Sequence, residues 1–141
     1  MITLLDYGAG NIRSVKNAIR LLGFDIKTVE SPDDIINAEK LIFPGVGNFG
    51  QVMGRLRHDG FAEPLVKRIR EDKPLLGICV ALQTFFEGSE ESLGVEGLGI
   101  IPGMIKKFNQ DLLSVPQIGW NELKIQKKNP ILNGYNGQKL Y

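Results

Sequence analysis

Short apolar blocks alternate with amphipathic segments from the first residues of this chain to Phe86. Apolar runs of this length are typical of strands buried in a parallel sheet, and they mark strands at Ile2–Leu5, Lys40–Phe43 and Pro74–Ile78. Phe24–Val29, in which apolar and polar residues alternate, is predicted to be the second strand. Between these runs, apolar residues recur at helical spacing, which predicts helical crossovers from strand to strand. Strand–helix repetition predicts an α/β fold, an open and mostly parallel sheet with helices on both faces.

Residues at the element ends support this assignment. Asn11 is suited to cap the first helix and Gly23 to end it. Ser31 followed by Pro32 and two aspartates predicts the start of the second helix, because proline fits the first turn and acidic groups favour the helix N-terminus.

The pattern changes after the fourth predicted strand. Val80–Phe86 is predicted to be a helix, and glycines then cluster between Gly94 and Gly103. Isoleucines on both sides of Pro102 predict paired strands there, and Trp120–Ile125 predicts a further strand.

Charge and composition exclude several classes of function. The 141 residues carry 17 basic and 16 acidic side chains, a net charge of +1, which gives no electrostatic basis for binding nucleic acid or an anionic membrane. One cysteine and one histidine exclude an internal disulfide and argue against a metal site. No apolar run approaches the ~20 residues of a membrane span. A reducing compartment is therefore expected, the cytoplasm or, after removal of a targeting segment, a plastid.

The single cysteine, Cys79, stands where the fourth predicted strand meets a helix. Gly77 and Ala81, two residues before and after it, are small enough for the tight turn that presents a nucleophile. A helix start favours the thiolate, and its backbone N–H groups can bind an oxyanion. A buried, unreactive thiol fits these residues equally well, since free cysteine is among the most buried residue types.

A glycine-rich turn, Pro44–Gly50, follows the third predicted strand. The carboxyl ends of parallel strands meet at one edge of a sheet, so this turn is expected to lie beside Cys79. Glycines allow a backbone N–H to approach a ligand closely. The turn lacks the lysine of a phosphate-binding loop, and a plain strand–helix turn is the alternative interpretation.

Five motifs together resemble the class I glutamine amidotransferases, and most closely the glutaminase component of imidazole glycerol phosphate synthase. They occur in the same order along the whole chain, at Asp6–Asn11, Pro44–Gly50, Gly77–Gln83, Glu87–Ser92 and Pro116–Asn121. The resemblance implies a flavodoxin-like class I glutamine amidotransferase fold. Residues 1–141 would form one domain that holds roughly the N-terminal two thirds of that fold, with the C-terminal remainder absent.

The resemblance also implies a reaction that needs no cofactor and no metal. The Cys79 thiolate would attack the side-chain amide of glutamine, release ammonia, and form a thioester that water hydrolyses to glutamate. The backbone N–H groups of Val46 and Val80 would form the oxyanion hole. The implied substrate contacts are Gly47, Gln83 and Glu91, with Glu91 suited to the α-ammonium group.

By the same resemblance, the ammonia would pass to a (β/α)8-barrel cyclase, either a separate subunit or a fused domain, in histidine biosynthesis. Asn11 and Trp120 match positions that face this partner. Without the resemblance, Asn11 would be only a helix cap and Trp120 a core residue.

The chain departs from the family pattern in three ways. Ala81 stands where glycine is usual, and Gln117 where histidine is often found. The catalytic histidine and glutamate of the family belong to a segment well beyond residue 141. The only histidine, His58, lies at the end of a charged helical segment and is expected to be a surface residue.

We therefore expect a truncated chain that is poorly stable, exposes an apolar sheet edge and is nearly inactive by itself. A non-hydrolysing binding or regulatory module with the same fold is one alternative. A cysteine-containing α/β protein of the DJ-1 type is another, although Gln83 and the turn at Pro44 argue against it.

Overall fold

The computed structural model describes residues 1–9, 11–109, 111, 115–116 and 118–140. It divides into two compact units, Met1–Lys107 and Phe108–Tyr141. Of the motif residues, Gly10 and Gln117 lie outside the described residues.

The first unit contains five helices and six strands among its described residues. The helices are α1 (Ile12–Leu21), α2 (Pro32–Asn37), α3 (Phe49–His58), α4 (Ala62–Arg70) and α5 (Val80–Gln83). The strands are β1 (Ile2–Leu4), β2 (Ile26–Thr28), β3 (Lys40–Gly45), β4 (Leu75–Cys79), β5 (Gly88–Ser89) and β6 (Met104–Ile105).

The first four strands form a parallel sheet in the order β2-β1-β3-β4. The pairing of β3 with β4 runs from Leu41 opposite Leu75 to Gly45 opposite Cys79. The predicted parallel sheet is confirmed, and its register places the end of β3 directly beside the single cysteine.

The helices cover the two faces of this sheet unequally. Because parallel crossovers are right-handed and the strand order reverses after β2, α1 lies on one face and α2, α3 and α4 lie on the other. The main core is built on the second face, around the buried side chains of Phe43, Phe49, Met53 and Leu65. The prediction of helices on both faces is therefore confirmed.

Strand β4 forms an edge of the described sheet. Gly77 on β4 packs towards Phe85 in the core, so its neighbours Leu76 and Ile78 point to the opposite face. These two side chains are 40% and 41% exposed. This face of the edge strand is therefore partly exposed and apolar, whereas the expectation that it results from a missing part of the fold stays a prediction.

A fully buried arginine, Arg68 on α4, joins the amino ends of β3 and β4. Its Nη1 donates to the carbonyl oxygens of Ile35 and Ala38 at 3.0 and 2.7 Å. Its Nη2 donates to those of Glu39 and Pro74 at 3.3 and 2.6 Å. The carbonyls of Glu39 and Pro74 immediately precede the two strands, so this side chain fixes where both strands begin. Burial lowers the pKa of Arg68 from its ordinary value.

Helix α5 is shorter than predicted, since it ends at Gln83 rather than Phe86. The carbonyls of Thr84 and Phe86 accept from the N–H groups of Leu98 and Gly99 at 2.7 and 3.1 Å. The Phe85 and Phe86 N–H groups donate to carbonyls three residues earlier, those of Leu82 and Gln83 at 3.1 and 3.2 Å, so the α-helical pattern does not continue past α5.

The strand pair predicted around Pro102 is replaced by a different pairing. Strand β6 pairs with β5 in parallel, Gly88 opposite Met104 and Ser89 opposite Ile105. Glycine at position 88 allows the close approach of the two strands, because a β-carbon there would lie only 3.0 Å from the Met104 side chain.

The second unit contains a short 3-10 helix, Pro130–Leu132, started by the Asn129 side chain. The strand predicted at Trp120–Ile125 is wrong. In the described part of the second unit, an isolated bridge joins Asn121 to Leu140. The Leu123 N–H donates to the Tyr135 hydroxyl at 2.8 Å, so this N–H does not extend the pairing that begins at Asn121.

Candidate active site

Cys79 occupies a strained turn between β4 and α5. Its backbone angles are φ 59° and ψ −126°, in a region that side chains other than glycine rarely adopt. The thiol is free and exposed. The strain lifts the side chain out at the carboxyl end of β4, so the alternative of a buried thiol is excluded.

Glycines make room for this turn. A β-carbon on Gly45 would lie 2.6 Å from the Ala81 backbone nitrogen and 2.7 Å from Cγ1 of Val80. A β-carbon on Gly77 would lie 2.8 Å from the ring of Phe85. The sequence pattern predicts that position 77 requires a small residue. The requirement for glycine at position 45 is seen only in the structure, where β3 lies beside β4.

The helix after Cys79 contributes less than the sequence predicts. Helix α5 has four residues, Val80–Gln83. So short a helix has a smaller macrodipole than the predicted helix over Val80–Phe86 would have had. Ala81 is fully buried, so its methyl group fits where the family usually has glycine.

A cleft of about 710 Å³ opens in front of Cys79. It brings together most of the residues that the resemblance implied for substrate binding. Of these residues the cleft is lined by Gly47, Cys79, Val80, Gln83 and Glu91. Glycine at position 47 has φ +102°, a conformation that favours glycine, and Val80 is otherwise buried.

Charged residues that the sequence did not single out also line this cleft. Glu90, Lys106 and Lys107 contribute to its wall, together with Ser89. The Lys107 N–H donates to Oε2 of Glu90 at 3.0 Å, which ties the segment after β6 to the loop after β5. A pair of lysines in a polar stretch gives no signal that distinguishes a cleft wall from an ordinary surface.

Glu91 has a structural contact that its predicted role did not include. Its Oε2 accepts from the Phe49 N–H, at the start of α3, at 2.8 Å. The neighbouring Ser92 hydroxyl accepts from Gly50 at 3.0 Å and donates to Asn48 at 3.0 Å. These bonds attach the acidic loop to the N-terminus of α3 and thereby hold one wall of the cleft.

Val46, predicted to donate its N–H to an oxyanion, uses that N–H elsewhere. It donates to the Tyr7 hydroxyl at 3.2 Å, and this hydroxyl donates to the Val46 carbonyl at 3.4 Å. Val46 lines a separate hollow with Tyr7, Gly8 and other residues. In this conformation the Val46 N–H is not available to a ligand in the cleft.

His58 does not belong to the cleft. It lies at the end of α3 with its side chain 78% exposed, and its Nδ1 is 2.9 Å from Oδ1 of Asp59. This bond, aided by Arg55, holds the pKa of Asp59 below its usual range. The expectation of a surface histidine is confirmed.

The two residues assigned to a partner interface are both exposed. The Asn11 side chain accepts from the Ser14 N–H at 3.3 Å and so caps α1. Trp120, in the second unit, is 67% exposed rather than part of a core. Their contact with a partner stays a prediction.

The described residues outside the cleft show a second hollow, but no metal-binding cluster and no membrane-spanning helix. A hollow between α3 and α4, lined by Arg57, Lys67 and Arg70 among others, includes none of the predicted site residues. No group of three or more potential metal ligands occurs among the described residues. None of the described helices has the length and apolar character needed to cross a membrane.

The family model described as "Glutamine amidotransferase class-I" matches residues 3–134. The chain belongs to this family. The match takes in β1 through the 3-10 helix, and therefore the whole strand–turn–helix arrangement around Cys79.

Two relatives within the family differ in length. The chain is 51% identical over 142 residues to "Imidazole glycerol phosphate synthase hisHF, chloroplastic" of Arabidopsis thaliana, covering 100% of this chain and 24% of that protein. It is 39% identical over 148 residues to "Imidazole glycerol phosphate synthase subunit HisH" of Syntrophotalea carbinolica, covering 100% of this chain and 72% of the relative. The chain thus spans about a quarter of the first relative and most of the second.

A solved structure supports the fold independently. "Crystal structure of glutamine amidotransferase" superimposes with a TM-score of 0.66 at 21% identity, over 86% of this chain and 62% of that chain. At this identity the likeness concerns the fold alone. It agrees with the class I glutamine amidotransferase fold that the motifs implied.

Proposed function

We propose that this chain is the glutaminase part of an imidazole glycerol phosphate synthase, which hydrolyses glutamine to glutamate and ammonia. The observation that carries the proposal is the strained turn that presents Cys79 to a cleft lined by Gly47, Gln83 and Glu91. Relatives named as HisH subunits and hisHF proteins support it. The proposed location is the cytoplasm or, by analogy with the chloroplastic relative, a plastid.

The proposed reaction has two covalent steps. The Cys79 sulfur attacks the side-chain amide carbon of glutamine, and the C–N bond then breaks as the nitrogen takes a proton and leaves as ammonia. Water attacks the resulting thioester, which releases glutamate and returns the thiol. Each step passes through an oxyanion, which a backbone N–H can stabilise. Val80 is the candidate donor beside Cys79, and Val46 is the second.

Glu91 can serve both the fold and the substrate. Its Oε2 is bonded to the Phe49 N–H. Within the described part of the chain, Oε1 has no hydrogen-bond donor and Glu91 lines the cleft. We infer that Oε1 receives the α-ammonium group of glutamine, while Gln83 contributes an amide to the same wall.

The position of His58 favours a second candidate function, a glutamine-binding module that does not hydrolyse its ligand. His58 is the only histidine of the 141 residues, and it is bonded to Asp59 on the surface. The cleft therefore holds no imidazole to take the thiol proton and return it to ammonia. We expect this chain to bind glutamine and to turn it over slowly, if at all, by itself.

The proposed partner is a cyclase with a (β/α)8 barrel, as a subunit or a fused domain, that receives the ammonia. The relatives that bear the hisHF name support a partnership within one chain, and those named HisH support one between subunits. We propose that Asn11 and Trp120 face this partner. Crosslinking from either position to an added cyclase subunit would support the assignment, and labelling that ignores the cyclase would contradict it.

Alkylation of Cys79 tests the proposed substrate without requiring turnover. The probe is a chloromethyl ketone analogue of glutamine, with mass spectrometry to locate the adduct. We expect modification at Cys79, protection by excess glutamine but not by glutamate, and no adduct in Cys79→Ser. Equal labelling with and without glutamine would contradict a glutamine site.

A matched pair of variants tests Glu91. Glu91→Gln retains an oxygen for the Phe49 N–H but loses the charge that would bind the α-ammonium group, so protection by glutamine should weaken about tenfold. Glu87→Gln is the control, because Glu87 also accepts a backbone N–H, from Gly103 at 3.0 Å, but does not line the cleft. Ammonia release measured on the same samples decides between hydrolysis and binding alone.

A further inference from the structure

One wall of the cleft carries charges of both signs. Glu90 and Glu91 follow β5, Lys106 and Lys107 follow β6, and all four residues line the cleft in front of Cys79. Because β5 and β6 are paired in parallel, the acidic and the basic residues leave the strand pair at the same end. Opposite charges therefore lie side by side on this wall.

Backbone hydrogen bonds continue the pairing past the ends of both strands. The Glu90 N–H donates to the Ile105 carbonyl at 3.0 Å, and the Lys107 N–H donates to Oε2 of Glu90 at 3.0 Å. The second bond also gives the Glu90 carboxylate a backbone partner. The segment that holds the two lysines is thus fixed beside the loop that holds Glu91.

The ammonium groups of Lys106 and Lys107 are not used by the described part of the chain. Neither Nζ forms an ion pair or a hydrogen bond with another described residue. In contrast, Nζ of Lys67 and Nζ of Lys73 lie 4.0 and 2.8 Å from carboxylate oxygens of Glu71. The two lysines of the cleft are exposed, so their charges are available to a ligand there.

The proposed substrate needs a cation on this wall. Free glutamine carries an ammonium and a carboxylate group on one carbon atom, and both are charged at neutral pH. When Glu91 binds the ammonium group and the side-chain amide reaches Cys79, the carboxylate must lie beside Glu91 and away from the thiol. Two carboxylates so close together repel each other unless a cation offsets their charge. Lys106 and Lys107 provide that charge from the neighbouring segment.

We propose that Lys106 and Lys107 bind the α-carboxylate of glutamine and so restrict the cleft to the free amino acid. This inference rests on the proposed glutaminase function and adds two specificity-determining residues to it. A glutamine residue inside a peptide has neither charge at its α-carbon, so this wall offers it no ion pair. The lysines act on binding alone and take no part in the covalent steps at Cys79.

Protection of Cys79 against iodoacetamide measures ligand binding without requiring turnover. Iodoacetamide is uncharged, so it does not compete for the lysines. The two ligands are L-glutamine and L-glutamine α-amide, in which a neutral carboxamide replaces the α-carboxylate. The quantity compared is the ligand concentration that halves the alkylation rate, because this concentration does not depend on the reactivity of the thiol in each variant.

In the double variant Lys106→Gln with Lys107→Gln, this concentration should rise about tenfold for glutamine, the effect of one hydrogen bond to a charged group, and less than about twofold for the α-amide. Lys67→Gln is the matched control, because it removes the same charge from an exposed lysine of the same unit outside the cleft. Glutamine should protect this control as it protects the wild type. An equal rise for both ligands, or no rise for glutamine, overturns the proposal.

Failure of the proposed function would give a different result. If glutamine does not protect wild-type Cys79, the glutamine site itself is overturned. If glutamine protects the wild type and the double variant equally, the glutamine site stands and the role of the lysines is overturned. Protection of the double variant by the α-amide shows that its cleft is still formed, so a loss confined to glutamine reports the α-carboxylate.

Discussion

The two edges of the parallel sheet are built by opposite means. At the amino edge, Arg68 is fully buried and donates four hydrogen bonds to carbonyl groups, two of which directly precede β3 and β4. At the carboxyl edge, the same two strands end in Gly45 and in Cys79, whose backbone is strained and whose side chain is exposed.

This difference separates the part of the sheet that supplies stability from the part that supplies a site. A buried cation surrounded by carbonyls tolerates little change, because its removal breaks several buried hydrogen bonds at once. Strain at the other edge lowers stability and is retained where it places a side chain. Substitutions at the two edges should therefore differ in what they disturb: folding at one, and the shape of the cleft at the other.

The largest expected effect is at the amino edge. Arg68→Met preserves the length of the side chain but removes four hydrogen bonds to carbonyls, of which that of Pro74 keeps a second donor, the Leu41 N–H at 3.1 Å. The free energy of unfolding should therefore fall by at least about 3 kcal/mol. Urea unfolding followed by circular dichroism measures this. Arg70→Met, on the exposed side of the same helix, is the control and should change stability by less than about 0.5 kcal/mol. Equal urea midpoints for Arg68→Met and Arg70→Met would contradict the conclusion that the amino edge of the sheet supplies stability.

A smaller effect is expected at the carboxyl edge. In Gly45→Ala, the new methyl group would lie 2.6 Å from the Ala81 nitrogen, so α5 must shift, at a cost of about 2 kcal/mol. Gly54→Ala, on α3 with open space around it, should instead stabilise the chain by about 0.5–1 kcal/mol.

The same pair tests the cleft as well as the fold. Because α5 carries Gln83, Gly45→Ala should also weaken the protection of Cys79 by glutamine, and Gly54→Ala should not. Full protection in Gly45→Ala would show that the cleft does not depend on the close contact between β3 and α5.

The smallest effect concerns the start of α2, after β2, where a carboxylate serves only the fold. Lys27, then the backbone N–H groups of Glu30 and Ser31, lower the pKa of Asp34 to about 2. A carboxylate with a depressed pKa in the folded state stabilises fully above its unfolded pKa, and this contribution is lost as the pH falls through about 2.

The stability difference between wild type and Asp34→Asn should therefore be constant from about pH 7 to pH 5 and shrink between about pH 4 and pH 2. Denaturant unfolding across this range measures it. Asp33→Asn, an exposed carboxylate in the same turn, is the control and should give a smaller difference at neutral pH. A difference for Asp34→Asn that grows as the pH falls would have the wrong sign for this ion pair.

The alternation of apolar runs and helical periods was enough to predict the sheet, because buried parallel strands need continuous apolar sequence. The turn at Cys79 was predictable for a similar reason, since Gly77 and Ala81 mark it locally. The role of Arg68 was not, because an arginine on an amphipathic helix reads as a surface residue. Only the packing of α4 on the amino ends of β3 and β4 brings its acceptors together.

Contacts between distant residues account for the other differences. The bond from Val46 to Tyr7 spans 39 positions, and that from Phe49 to Glu91 spans 42. Neither hydrogen bond can be predicted from the local sequence pattern. The strand expected at Trp120–Ile125 is absent from the described elements because alternation predicts an extended segment but does not supply a neighbouring strand; an isolated bridge joins Asn121 to Leu140.

The backbone at Cys79 also bears on the stability of the fold. Glycine would adopt the observed angles at little cost, whereas a residue with a β-carbon gives up about 1–3 kcal/mol there. For folding alone, glycine would therefore be the more stable residue at this position. Cysteine at this position therefore lowers the stability of the fold, and what the chain gains in return is a sulfur placed in the cleft.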